Sequence, residues 1–176
     1  MEEKLHDFRN TFREATNMSC KKYIFDFEGA VADTSECYRN AFLEAFSHFG
    51  IPFEESKLNE YIVRPLDRTF EKYYTGCTCR FRDFVTMFVG CFDKSFGLCK
   101  LRPGSAEKLH ELHKEGCRIG IVSRTYRFYV ERFHAENGLS DIISEIRSSE
   151  MTDDCESVIR KMISDYDPAE TAIIRN

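Results

Sequence analysis

The sequence has no tryptophan, only four prolines and nine glycines in 176 residues, and no apolar run near the ~18 residues a membrane span needs. The glycines are too scattered to form a GxGxxG turn or a Walker loop, so neither kind of phosphate cradle is expected. The first residues, M-E-E-K-L-H-D-F-R-N-T-F-R-E-A, are charged throughout and lack the apolar centre of a secretory signal. Positive charge is also short. Lys and Arg number 25 against 30 Asp and Glu, a formal net charge of -5. That balance argues against a nucleic-acid coat or a polybasic membrane anchor. The expectation is a cytoplasmic protein with no nucleic-acid or membrane partner.

What is present describes an ordinary globular chain, 42% hydrophobic and 31% charged, long enough for one substantial core and a small inserted domain. Sixteen Phe and eight Tyr supply the bulky packing. The eight cysteines are Cys20, Cys37, Cys77, Cys79, Cys91, Cys99, Cys117 and Cys155. Without an export signal they read as free, mostly buried thiols rather than a disulfide framework. Cys77 and Cys79, with Cys91 and Cys99 further on, match no usual zinc-ligand spacing.

Leu5, Phe8 and Phe12 are spaced three and four apart, which predicts an amphipathic helix in an N-terminal extension, residues 1–20. K-K-Y-I-F-D-F then reads as a short buried strand ended by Glu28-Gly29. Residues 35–97 carry helical periods and no strand signal, with Phe81, Phe84, Val85 and Phe88 on one face of the last helix. After Pro103-Gly104 comes a helix with Ala106, Leu109 and Leu112 inward, closed by Gly116. A strand over Ile119–Val122 ends at Ser123, and a helix spans about Tyr126–Glu136. D-I-I-S-E-I-R is a third strand, E-S-V-I-R-K-M-I-S-D-Y a further helix, and E-T-A-I-I-R-N a fourth strand. Strands alternating with helices predict an α/β fold: a Rossmann-like three-layer parallel sheet, formed by 21–34 and 98–176, with the all-helical segment 35–97 inserted. Ligands of such sheets sit beyond the carboxyl ends of the strands, where Asp26 and Ser123 are expected to meet.

D-F-E-G-A-V-A-D-T, following the first strand, resembles the D-x-D-G-T motif of the haloacid dehalogenase (HAD) superfamily. The helical insert, R-P-L-D-R-T-F included, is similar to the cap of its phosphoglycolate phosphatase and β-phosphoglucomutase branch. L-R-P-G-S-A-E-K-L-H-E-L-H-K-E-G-C-R-I-G-I-V-S resembles the approach to the second motif, a Ser or Thr at a strand end. The similarity runs from about Lys22 to the last residue. It implies that Asp26 is the nucleophile that forms an aspartyl-phosphate, already ionised at neutral pH. It implies that Glu28 stands where the family has its acid–base Asp. Asp26 and the backbone carbonyl of Glu28 become magnesium ligands. Ser123, with Arg124 beside it and the turn amides around Gly29, becomes the phosphate-binding set.

Four positions depart from the family pattern. Glu28 is one methylene longer than Asp, and Ala30 replaces a Thr. No Lys occurs near Met151, where the resemblance places one; Asp153 and Asp154 stand nearby, and Lys161 lies about three turns too late. Arg175 and Asn176 occupy the first positions where the family has its magnesium-binding acid. An acid–base group is worth about 10²–10⁴-fold and a ~1 Å misplacement about 10²-fold, so the losses compound. The expectation is a degenerate HAD-like phosphatase scaffold, weak or non-catalytic, that binds a small phosphorylated molecule or a protein partner. The alternative is an active magnesium-dependent phosphatase of small phosphate monoesters. Arg64 and Arg102 are the cations to mutate first in a search for substrate contacts. A sheet edge near 171–176 leaves self-association as a homodimer open.

Overall fold

The computed structural model describes residues 21–74, 79–151 and 170–175, with Ser157, Arg160, Lys161 and Ser164 between them. The amphipathic helix expected in 1–20 and most of the helix expected after 155 lie outside the described residues. The chain divides into two compact units: an α/β unit up to Ala32 and from Leu101 onward, and a helical unit, Asp33–Lys100.

In the α/β unit, strands β1 (Lys22–Asp26), β2 (Arg118–Ser123), β3 (Glu145–Ser148) and β4 (Thr171–Ile174) form one parallel sheet in the order β3-β2-β1-β4. The α/β fold read from the alternation of strands and helices is the one present. Helices α5 (Ser105–Lys114) and α6 (Arg127–Glu136) belong to the same unit. Ile24, Ile119, Ile121 and Val122 are fully buried, as near-continuous apolar strands covered on both faces must be. Leu109 and Leu112 bury the inner face of α5, whereas Ala106 is only half-buried. Gly116 closes that helix at φ 80°, a left-handed conformation that costs glycine nothing. Strand β3 starts later than its apolar residues suggest, because Ser144 bonds the Ile119 carbonyl through both its N–H (2.8 Å) and its hydroxyl (2.7 Å). Register places Asp26 opposite Val122 and Ser123 opposite Ser148, so these residues end adjacent strands at one edge of the sheet.

The helical unit is built from α1 (Ser35–His48), α2 (Leu58–Val63), α3 (Leu66–Tyr73) and α4 (Phe81–Ser95). On α1, Tyr38, Phe42 and Phe46 recur every fourth residue, and Phe84, Phe88 and Phe92 do the same on α4. A four-residue repeat lines up on one helix face. The two stripes interlock, with ring centroids 4.6 Å apart for Phe42–Phe88 and 5.0 Å for Tyr38–Phe92. Tyr61 of α2 adds a third side, 5.1 Å from Phe46. Each such pair contributes about 0.5–1.5 kcal/mol beyond the area it buries. The buried face of α4 is rotated from the expected one: Phe84 and Phe88 are buried, Val85 is half-buried and Phe81 is exposed, with Cys91 and Phe92 buried in their place. Arg64 is committed locally, donating to Glu60 at 2.7 Å. No helix among the described residues is long and apolar enough to cross a membrane.

Candidate active site

The site is assembled where β1 and β2 end. Phe27 follows Asp26 and is fully buried, 5.2 Å from Phe133 and 5.7 Å from His134 between ring centroids. That anchor fixes the start of the turn Phe27–Val31. Within the turn Gly29 takes φ 97° and ψ -35°, a conformation a side chain would strain. Glu28 precedes the reversal with an extended φ of -72° and ψ of 109°. Ala30 and Val31 are fully buried, so the turn is packed from below.

The Glu28 side chain reaches across to the loop that leaves β2. Its Oε1 accepts from the Ser123 hydroxyl at 2.8 Å, the Thr125 N–H at 2.8 Å and the Thr125 hydroxyl at 2.8 Å. The Arg124 N–H is shared between Oε1 at 3.1 Å and Oε2 at 3.3 Å. Ser123 and Thr125 are fully buried, so these donors are removed from water and aimed at one point. The loop is held rigid from β3: the Ser149 N–H bonds the Ser123 carbonyl at 2.9 Å, and the Met151 N–H bonds the Arg124 carbonyl at 2.7 Å. The Ser148 hydroxyl bonds the Thr125 carbonyl. Glu150 and Met151 take φ values of 52° and 64°, left-handed conformations that cost a non-glycine residue about 1–2 kcal/mol each. The tie to the β2 loop holds them there.

Asp26 is affected by this arrangement. Its Oδ1 is buried and has no hydrogen-bond partner among the described residues. Burial, followed by the charge of Glu28 and contact with its side chain, pushes the Asp26 carboxyl up to about 8. The Arg175 guanidinium and the Glu28 N–H pull the other way and are outweighed. The expectation that Asp26 is ionised at neutral pH is therefore corrected: the acid form dominates at pH 7. Burial in low dielectric penalises the charged form, and a second carboxylate beside it adds to the penalty.

The structure brings Asp26, Glu28, Gly29, Ser123 and the Arg124 backbone to one edge of the sheet. Arg124 enters the donor set through its N–H, while its side chain is buried. Thr125 was missed by sequence reasoning, although S-R-T puts a second hydroxyl two residues after Ser123, at the same strand end. Met151 is buried, an apolar side chain near the position where the resemblance places an ammonium.

The described residues do not fit magnesium. That ion takes six oxygens in near-octahedral geometry and is usually anchored by one or two carboxylates. No group of three acidic, His or Cys side chains able to hold a metal occurs among the described residues. The Glu28 carboxylate is turned into the β2 loop, and among the described residues the positive charge acting on Asp26 is Arg175.

A sheet of this order, carrying an acid and a hydroxyl at adjacent strand ends, defines a Rossmann-like α/β scaffold. The family model described as haloacid dehalogenase-like hydrolase matches residues 23–174, and the chain belongs to that family. Among solved structures, a haloacid dehalogenase-like family hydrolase from Streptococcus pneumoniae superposes with a TM-score of 0.73 at 19% identity, covering 90% of this chain and 76% of its own. CbbY from Rhodobacter sphaeroides, solved in complex with phosphate, gives 0.68 at 20% identity, with 88% and 76% covered. A predicted phosphoglycolate phosphatase from Haemophilus somnus gives 0.71 at 13% identity, with 89% and 76% covered. At these identities the likeness is one of fold. No curated protein matches the sequence.

Proposed function

We propose that this protein keeps the phosphatase scaffold of its family as a binding module, with phosphoryl transfer weak or absent. One observation carries the proposal: the Glu28 carboxylate takes the hydroxyl and backbone N–H donors at the end of β2. A transferring phosphoryl group needs donors of this kind aimed at its oxygens. Here an anion of the chain itself, tethered two residues from Asp26, takes them. Hydrogen bonds to a charged group contribute about 1.5–3 kcal/mol each, and an incoming phosphate must replace several while facing the Glu28 charge. Asp26 in its acid form is also a much weaker nucleophile toward phosphorus than a carboxylate.

The proposed role is cytoplasmic recognition of a protein partner or of a small phosphorylated molecule. The test is phosphate release from a generic aryl phosphate with magnesium, for wild type and Asp26→Asn side by side. Equal release at the buffer rate is expected. Turnover by the wild type that Asp26→Asn abolishes overturns the proposal and restores the active-phosphatase alternative. Glu28→Asp separates a blocked site from a dismantled one, since the shorter acid vacates the β2 loop; a gain of turnover in that variant alone marks the scaffold as blocked.

A further inference from the structure

We infer that Cys37 and Cys99 form a reversible disulfide, closed by a hydroperoxide. Both lie in the helical unit, Cys37 in the first turn of α1 and Cys99 just after the single turn Phe96–Leu98 that follows α4. The fully buried Cys37 thiol donates to the Ser95 carbonyl at 3.2 Å and lies 4.0 Å from the Phe96 carbonyl. The Cys99 N–H donates to the same Phe96 carbonyl at 2.9 Å. The two residues thus converge on one carbonyl, and their side chains are hydrogen-bonded to each other. Two thiols in that contact meet the first requirement of a disulfide, sulfurs already side by side.

The chemistry of the pair differs from that of Cys91, another buried thiol of the unit. Cys91 is pushed up to about 11 by burial and by contact with Glu44, which keeps it a protonated, unreactive thiol. Cys37 is instead held below its usual value, chiefly by the hydrogen bond from Cys99. Cys99 is half-exposed and so reachable by a small oxidant.

The step balances with hydrogen peroxide. The Cys99 sulfur attacks a peroxide oxygen, the O–O bond breaks, and the thiol proton joins the departing hydroxide, so that a sulfenic acid and one water form. The Cys37 thiolate then attacks the Cys99 sulfur. The S–S bond forms, the S–O bond breaks, and hydroxide leaves to become a second water. Two thiols are oxidised and one peroxide is reduced. The bond closes nearly the whole helical unit into one loop, which restricts the unfolded chain.

The experiment uses the full chain, exposed to hydrogen peroxide under native conditions, alkylated and digested with trypsin without reductant. The expected product is the peptide Tyr23–Arg39 joined to Ser95–Lys100, two hydrogens lighter than their sum and separated by dithiothreitol. Oxidation raises the wild-type melting temperature by roughly 5–10 °C, and this rise is absent in Cys99→Ser. Cys99 is half-exposed, so that variant retains the fold, which circular dichroism checks. Recovery of Cys37 and Cys99 as separately alkylated peptides, capture of either by another cysteine, or an equal melting rise in Cys99→Ser overturns the inference.

Discussion

In the helical unit, aromatic rings from α1 and α4 interlock every fourth residue, and no carboxylate lies among the rings that meet. At the strand ends of the α/β unit, an acid without a hydrogen bond at one oxygen sits beside a second acid that takes four donor groups. The first region gains from every atom it removes from water. The second removes charge from water and recovers only part of the cost. The interlocked rings of the helical unit therefore answer to stability. In the site, the geometry burdens the fold, as sites that serve binding or chemistry commonly do.

The contrast breaks most visibly at Phe88, which is fully buried and 4.6 Å from Phe42 between ring centroids. Phe88→Ala is expected to lower stability by about 3–5 kcal/mol, read from urea unfolding. A loss below ~1 kcal/mol would mean that the ring stripe is ornamental to the unit.

Asp26→Asn is expected to act in the opposite direction. The folded-state value of Asp26, about 8, lies above its ordinary 3.8. The folded chain therefore keeps a proton that the unfolded chain releases, and this contribution is full below about 3.8 and lost as pH rises through about 8. Each pH unit in that window is worth up to about 1.4 kcal/mol. Asparagine does not titrate, so the variant is expected to be about 2–4 kcal/mol more stable than wild type at pH 8, with the difference vanishing near pH 4. Denaturant titrations at the two pH values check it. Equal stability at both would show an ionised, well-solvated Asp26, and with it a nucleophile ready to react.

How much of this was legible in the sequence differs between the two regions for a physical reason. The stripe Tyr38, Phe42, Phe46 and the strand Lys22–Asp26 declare themselves by period, because burial on one face writes itself along the chain. On α4 the same signal admitted two neighbouring faces, and only packing against α1 chose Phe92 over Phe81. The site was legible as residue types at strand ends, Asp26 and Ser123 above all. Where Glu28 points was not. One added methylene gives a carboxylate the reach to leave its own turn and bond the loop after β2, and the choice of partner depends on residues nearly a hundred positions away. The altered ionisation of Asp26 follows first from its burial and then from the neighbouring Glu28, so it too was invisible until the strands were side by side.

The smallest effect bears most directly on that contact. Thr125 supplies Glu28 with both its N–H and its hydroxyl, each at 2.8 Å. Thr125→Val keeps the shape and the N–H but removes one bond to a charged acceptor, at an expected cost of about 1.5–3 kcal/mol in wild type. In a Glu28→Ala background the hydroxyl has no carboxylate to serve, so the same substitution is expected to cost at least ~1 kcal/mol less. A double-mutant cycle measured by urea unfolding gives that difference. If the two changes simply add, the Glu28 carboxylate is not seated among the β2 loop donors in solution. The asymmetry drawn here between an apolar unit at ease and a polar site under constraint would then lose its second half.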